Sequence, residues 1–131
     1  ALELEIPEEY VREGVYHDPD RCAELTRELL QLPEPPTCIL MPDDFSSIGG
    51  GNAIRRMGLR FPEDVSAAGY DGIQLASVTN PAMTTYRQDT AALGKTAAAK
   101  LIELIEKPRT ALVDRILIPG KLVEGCSVRA I

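Results

Sequence analysis

Two apolar, strand-like runs in this sequence each end in aspartate. Residues 38–41 lead through one proline into Asp43 and Asp44, and residues 65–70 lead directly into Asp71. A stretch with helical spacing separates them, so the two runs should be parallel neighbours joined by a crossover helix. Polar groups at the carboxyl ends of parallel strands line the crevice in which open α/β sheets bind ligands. The pattern therefore predicts a small-molecule site at this edge of a sheet.

The rest of the chain continues the alternation of helices and strands. Helices are predicted over residues 19–32, 46–57 and 90–106, with a single helical turn over residues 73–77. Further strands are predicted over residues 10–14, 83–87, 115–118 and 121–124. This order indicates the α/β class, with a Rossmann-like, mostly parallel sheet flanked by helices.

A run of three glycines, Gly49-Gly50-Gly51, lies inside the second predicted helix. Each interior glycine costs about 0.5–1 kcal/mol relative to alanine. A phosphate-binding loop is one interpretation, but the run lacks both the GxGxxG spacing and the Lys-Ser/Thr of a P-loop. A loose or tightly packed first helical turn fits the pattern better.

Composition excludes several functions. The net charge is -6, and the cluster of Arg55, Arg56 and Arg60 is flanked by acidic residues, so this segment is not expected to contact DNA. Three scattered cysteines and one histidine favour buried thiols in a reducing cytoplasm over disulfides or a zinc site. No apolar run is long enough to cross a membrane. No cofactor, metal or catalytic residue is predicted. The start at Ala1 suggests a piece of a longer protein.

Short motifs follow one another in a specific order: Pro36-Thr37-Cys38-Ile39, Asp43-Asp44, Met57-Gly58-Leu59, Pro62-Glu63-Asp64-Val65-Ser66, Gly69-Tyr70-Asp71 and Pro81-Ala82-Met83-Thr84-Thr85-Tyr86-Arg87-Gln88. Each motif alone is common. The ordered set resembles the effector-binding domain of the lactose/galactose-repressor family of bacterial transcription regulators. The resemblance covers nearly the whole chain and is strongest over residues 36–104. It implies the type I fold of periplasmic binding proteins.

Members of that family carry an N-terminal helix-turn-helix and a two-lobed core. Nothing here resembles the helix-turn-helix or most of the first lobe. The resemblance therefore implies that residues 1–84 and 113–131 form the second, C-terminal lobe. Residues 85–112 would be a crossing segment whose helix joins the missing first lobe. It also implies a homodimer that contacts DNA only through a domain outside this chain.

The resemblance assigns four ligand-binding positions. Asp71 matches an aspartate that hydrogen-bonds effector hydroxyls or amines, and Asp43 matches a ligand-facing site usually held by asparagine. Tyr16 matches an aromatic residue that stacks on the effector, and Gln88 a polar residue on the hinge side of the pocket. Each also has a structural interpretation: a turn for Asp71, a rim or core position for Tyr16, and a hinge hydrogen bond for Gln88. Asp44 is interpreted as a helix cap, with Ser46 as the alternative cap of the same helix.

Three functions remain open. The first is sensing of a small polar effector, such as a sugar, to control transcription. The second is a periplasmic solute receptor of a transport system, which would use the same crevice. The third is an enzyme or phosphoacceptor with Mg²⁺ at the strand-end aspartates. The last would also need a strand-end lysine and a hydroxyl partner, and no convincing pair is present, so the chain is predicted not to be an enzyme.

Overall fold

The computed structural model describes residues 5–108, 110 and 115–129. Its helices and strands, in chain order, are α1 (Pro19–Leu30), β1 (Cys38–Leu40), α2 (Ser46–Arg56), β2 (Ser66–Asp71), β3 (Thr84–Arg87), α3 (Thr90–Glu106) and β4 (Lys121–Val123). The strands form one sheet in the order β1-β2-β3-β4. β1, β2 and β3 are parallel, and β4 is antiparallel to β3. The predicted α/β class with a mostly parallel sheet is confirmed.

Helix α1 begins as its sequence predicts. The Asp18 carboxylate accepts a hydrogen bond from the backbone N–H of Arg21 at 2.9 Å, and Pro19 occupies the first helical position. The helix ends before Pro33, which cannot continue it. Its buried face is made largely of apolar side chains spaced by three or four residues, namely Cys22, Leu25 and Leu29, with Leu30 beside them.

The glycine run lets α2 approach α1 and the sheet closely. A Cβ atom on Gly49 would lie 1.7 Å from the carbonyl oxygen of Pro19. One on Gly50 would lie 2.5 Å from the Cε atom of Met41. Real side chains essentially never make such contacts, so the run is the tightly packed helical turn.

The core lies on one face of the sheet. Ile39 and Ala67 are register partners on this face and are buried with Ile54 of α2. The alternate positions of the same strands point to the opposite face, which the described elements leave uncovered. This bare face carries four exposed apolar side chains, Leu40, Tyr70, Tyr86 and Leu122.

Two strand predictions are wrong. Residues 11–14 have no regular structure, and a short 3₁₀ helix, Glu8–Tyr10, precedes them. Residues 115–118 also lack regular structure. In both segments the side-chain pattern suits a strand, but no strand among the described residues supplies the ladder hydrogen bonds. The final predicted strand is confirmed as Lys121–Val123.

Helix α3 stands apart from the core. No residue of this helix is buried, and its apolar side chains, such as those of Leu101 and Ile105, are exposed. Its start is capped by Asp89, whose carboxylate accepts a hydrogen bond from the N–H of Ala92 at 2.9 Å. The assignment of residues 85–112 to a crossing segment stays a prediction, because its boundary at residue 113 lies outside the described residues.

Ile54 tests the position of the core, because it is completely buried between α2 and the sheet. Replacement of Ile54 by alanine should lower the free energy of unfolding by about 2–5 kcal/mol, since it removes buried methyl groups and leaves a cavity. Ile116→Ala, at a half-exposed site, should change it by less than about 0.5 kcal/mol. Urea unfolding of both variants gives the comparison, and similar losses in the two would contradict this core.

Candidate functional site

The carboxylate of Asp71 brings together three of the four predicted ligand residues. One of its oxygens accepts a hydrogen bond from the hydroxyl of Tyr16, and the other accepts one from the side-chain amide of Gln88. The backbone N–H of Gln88 also donates to the carbonyl of Asp71 at 3.2 Å. Tyr16 lies 55 positions before Asp71 in sequence and Gln88 lies 17 positions after it, and the three side chains meet at the carboxyl end of β2.

The turn after β2 orients the Asp71 carboxylate. Asp71 has a φ of 100° and Gly72 a φ of 69°, both in the left-handed region. A Cβ atom at Gly72 would lie 2.3 Å from the Cβ atom of Arg87, so only glycine fits there. The Asp-Gly turn signal in the sequence is therefore real, and the same turn directs Asp71 towards Tyr16.

Asp43 is fully buried and accepts three hydrogen bonds. Its Oδ1 accepts one from the backbone N–H of Ser46 at 2.8 Å. Its Oδ2 accepts one from the Ser46 hydroxyl at 2.7 Å and one from the backbone N–H of His17 at 3.1 Å. Asp43 thus joins the start of α2 to the loop that carries Tyr16. Its predicted contact with ligand stays a prediction.

Asp44 does not cap α2, contrary to its interpretation from sequence. The donor at the start of the helix bonds to Asp43 instead. Asp44 is buried, its Oδ2 accepts a hydrogen bond from the N–H of Ile73 at 2.9 Å, and its own N–H donates to the carbonyl of Tyr70 at 2.9 Å. Its Oδ1 has no hydrogen-bond partner among the described residues. Asp44 therefore fastens the loop that follows β2.

Sequence reasoning missed two aromatic contributors. The ring of His17 stacks on that of Tyr16, with centroids 4.3 Å apart and planes 18° apart. The His17 ring also contacts that of Phe45 in a tilted arrangement, with centroids 5.7 Å apart. Tyr16 is 56% exposed, so this row of rings faces solvent beside the carboxylates. Adjacency of His17 to Tyr16 and of Phe45 to Asp44 was the only available signal.

The acidic groups set the protonation of the cluster. The hydrogen bond to Asp71, partial loss of hydration, and the negative charges of Asp71, Asp43 and Asp44 raise the pKa of Tyr16 to about 12. Tyr16 is therefore a hydrogen-bond donor across the physiological range. Burial works to raise the pKa of Asp43, but the hydrogen bonds from Ser46 and His17 outweigh it and hold that pKa below its usual value. Asp43 is thus a carboxylate at neutral pH.

An apolar groove of about 590 Å³ opens next to this cluster, along the outer edge of β1. Val15, Pro42 and Tyr70 line it, but none of the four predicted ligand residues does. The groove and the polar cluster are therefore separate features. Within the described part of the chain, no group of three His, Cys, Asp or Glu residues is arranged to hold a metal ion. No helix there is long and apolar enough to cross a membrane.

Comparison with known proteins identifies the family. The model of the periplasmic binding protein-like domain matches residues 2–128. The chain belongs to this family. It is 33% identical over 126 residues to the probable HTH-type transcriptional repressor ExuR of Bacillus subtilis, a match that covers 96% of this chain and 37% of ExuR. The HTH-type repressor PurR of Escherichia coli is 32% identical, with 95% of this chain and 36% of PurR covered.

Solved structures show the same relationship. A putative transcriptional regulator LacI from Bacillus cereus superposes with a TM-score of 0.89 at 26% identity, covering 98% of this chain and 45% of that one. The transcriptional regulator CelR in complex with cellobiose gives 0.85 at 29% identity, covering 95% and 37%. The resemblance to the lactose/galactose-repressor family is confirmed. The chain spans 36–37% of the length of these curated relatives.

The buried carboxylate of Asp43 predicts a pH effect. Because its pKa is lowered in the folded chain, its contribution to stability is present above the pKa of the unfolded chain, near 3.8, and is lost as the pH falls through the lower folded value. Asp43→Asn should cost about 1–3 kcal/mol at neutral pH, since asparagine cannot accept all three hydrogen bonds. Urea unfolding should show this difference shrinking below pH 3.8. A difference that stays constant down to pH 2 would contradict the argument.

Proposed function

We propose that this chain is the effector-binding part of a bacterial transcription regulator, and that a small polar effector binds beside Asp71. The observation that carries the proposal is the convergence of Tyr16 and Gln88 on the Asp71 carboxylate at the carboxyl edge of a parallel sheet. Ligands bind at this edge in open α/β sheets. The relatives ExuR and PurR are transcriptional repressors, which supports the regulatory role.

The chemistry of the cluster favours a polyhydroxylated ligand such as a sugar. Asp71 is a hydrogen-bond acceptor whose two oxygens are held by side chains that can move aside, because Tyr16 is exposed and Gln88 only half-buried. A ligand hydroxyl would replace the Tyr16 hydroxyl as donor, and the rings of Tyr16 and Phe45 would pack against the apolar face of the sugar. The CelR structure contains the sugar cellobiose, which supports this ligand class.

Regulation would follow from a difference in affinity. A ligand shifts a conformational equilibrium only by as much as it binds one state better than another. We infer that the described sheet forms the second lobe and that α3 belongs to the first, so that closure of the lobes on the effector changes the geometry of the protein. DNA would be contacted by a separate domain of a cytoplasmic homodimer, and no chemical reaction would be catalysed.

Replacement of Asp71 by asparagine should abolish effector binding, because the amide cannot accept hydrogen bonds on both sides. The full-length protein is screened by thermal shift against sugars, nucleosides and purines. At 100 times the dissociation constant a ligand stabilises by about 2.7 kcal/mol, which is readily detected. Asp64→Asn makes the same substitution near the amino end of β2 and should keep the shift. A hit that persists in Asp71→Asn would overturn the assignment of this site.

The Tyr16 hydroxyl and ring should have separable effects. Tyr16→Phe keeps the ring and frees one oxygen of Asp71, so an effector that must displace this hydroxyl should bind about fivefold more tightly, the equivalent of about 1 kcal/mol. Tyr16→Ala removes the stacking surface as well and should weaken binding. Isothermal titration of both variants measures these changes. Equal weakening by the two substitutions would mean that the hydroxyl contacts the effector directly.

A further inference from the structure

His17 links the other two rings of the aromatic row beside Asp71. Its imidazole stacks face to face on Tyr16, with ring centroids 4.3 Å apart, and also contacts Phe45. One face of the Tyr16 ring is therefore covered by the imidazole, while Tyr16 as a whole stays 56% exposed. The residue whose hydroxyl bonds to Asp71 thus rests on the ring of its neighbour in the chain.

The backbone of His17 is held in an uncommon conformation. Its φ is 59°, in the left-handed region that few residues other than glycine adopt. Its N–H donates to Oδ2 of the buried Asp43 at 3.1 Å, and the next N–H, that of Asp18, donates to the Ser46 hydroxyl at 3.0 Å. Sparsely populated backbone conformations that are held in this way cluster at binding sites. The scaffold therefore sets the direction of the imidazole before any contact with Tyr16.

Acidic groups lie close to this pair of rings. They are Asp43, bonded to the His17 N–H, Asp71, bonded to the Tyr16 hydroxyl, Asp18, next to His17 in the chain, and Asp44, whose charge acts on Tyr16. Basic groups of the neighbouring elements are directed to other partners. Arg21 of α1 pairs with Glu24 at 2.9 Å, and Arg87 of β3 donates to the carbonyl of Gly72 at 3.2 Å. The charge around His17 is thus mainly negative.

The charge of His17 interacts with Asp43 as well. Burial raises the pKa of Asp43, whereas the hydrogen bonds from Ser46 and His17 and the positive charge of the His17 imidazole lower it. A protonated imidazole is therefore attracted to this buried carboxylate. Histidine is the side chain that changes charge between about pH 5 and pH 8.

We propose that His17 positions Tyr16 against Asp71, and that protonation of its imidazole tightens this contact. A cation over the face of a tyrosine ring is attracted by the quadrupole of the ring. The neutral imidazole keeps the stack but lacks this attraction. The inference rests on the proposed function, because the hydrogen bond that His17 regulates is the one that the effector would displace.

Effector affinity would then depend on pH. The Tyr16 hydroxyl has to leave Asp71 before an effector hydroxyl takes its place, and protonated His17 opposes this step. Binding should therefore weaken by about two- to fivefold between pH 8 and pH 5.5, the amount expected of an exposed cation–π contact. By linkage, effector binding would favour release of the proton. The sensor would respond both to its solute and to the acidity of its surroundings.

Hydroxyl-radical footprinting of the full-length protein without effector tests the proposal. Tyr10 is the internal control, because its hydroxyl donates to the backbone carbonyl of Glu34 at 3.0 Å, a group that does not titrate. Tryptic cleavage after Arg12 places the two tyrosines on separate peptides, and fragment spectra separate Tyr16 from His17. The ratio of Tyr16 to Tyr10 oxidation should fall by about two- to fivefold between pH 8 and pH 5.5.

Two variants separate the charge of the imidazole from its ring. His17→Phe keeps a ring that cannot be protonated, so its oxidation ratio should be the same at both pH values. His17→Asn tolerates the left-handed backbone but removes the ring, so its ratio should exceed that of the wild type at both pH values. Both variants keep every carboxylate. A pH step of wild-type size that survives in them would belong to another group and would overturn the proposal.

The remaining outcomes are equally decisive. A wild-type ratio that does not change with pH would overturn the role of protonation, and a His17→Asn ratio equal to that of the wild type would overturn the positioning role. If His17→Phe does not fold, His17→Asn alone still decides both points. Because no effector is present, a negative footprint leaves the proposed function standing, and that function is tested separately by Asp71→Asn.

Discussion

The buried carboxylate of Asp43 holds together the segments that build the carboxyl edge of the sheet. It bonds to Ser46 at the start of α2 and to His17 in the loop before α1. The Ser46 hydroxyl in turn accepts a hydrogen bond from the N–H of Asp18, the residue that caps α1. Two helix starts and one loop are thus fixed by a single carboxylate. The position of Tyr16 opposite Asp71 depends on this arrangement.

The three strand-end aspartates have different roles. Two hold the scaffold in place, and the third can exchange its hydrogen bonds for those of a ligand. Asp43 and Asp44 are buried and bond to backbone groups of the scaffold. Within the described part of the chain, by contrast, the Asp71 carboxylate accepts hydrogen bonds from the side chains of Tyr16 and Gln88, and these can exchange for ligand groups. The hydrogen bond to Asp71 and the three nearby charges also keep Tyr16 protonated as a donor. A preorganised scaffold with one replaceable set of hydrogen bonds suits a reversible sensor.

Sequence patterns predicted those helices and strands that are marked by residues close together in the chain. Apolar runs, the Asp18-Pro19 start and the Asp71-Gly72 turn predicted β1, β2, β3 and α1 to within one or two residues at each end. The roles of Asp43 and Asp44 were less accessible, because adjacent aspartates offer the same side chain and only the path of the loop decides which one reaches Ser46. The strand prediction over residues 10–14 is wrong for another reason. Its pattern suits a strand, but a strand exists only when a neighbour bonds to it, and that information lies elsewhere in the sheet.

The isolation of α3 has a consequence for its folding. Helix α3 has 17 residues and no buried side chain, so its own backbone hydrogen bonds, the Asp89 cap and the ion pair between Lys100 and Glu103 contribute to its stability without packing against the core. Most of the stability of a helix in a protein comes from tertiary packing of an apolar face. Packing of a further surface against its apolar side chains would therefore stabilise α3. The helical content of this polypeptide therefore depends on its surroundings as well as on its sequence. A change in its far-UV circular dichroism that corresponds to α3 would report whether those surroundings are assembled.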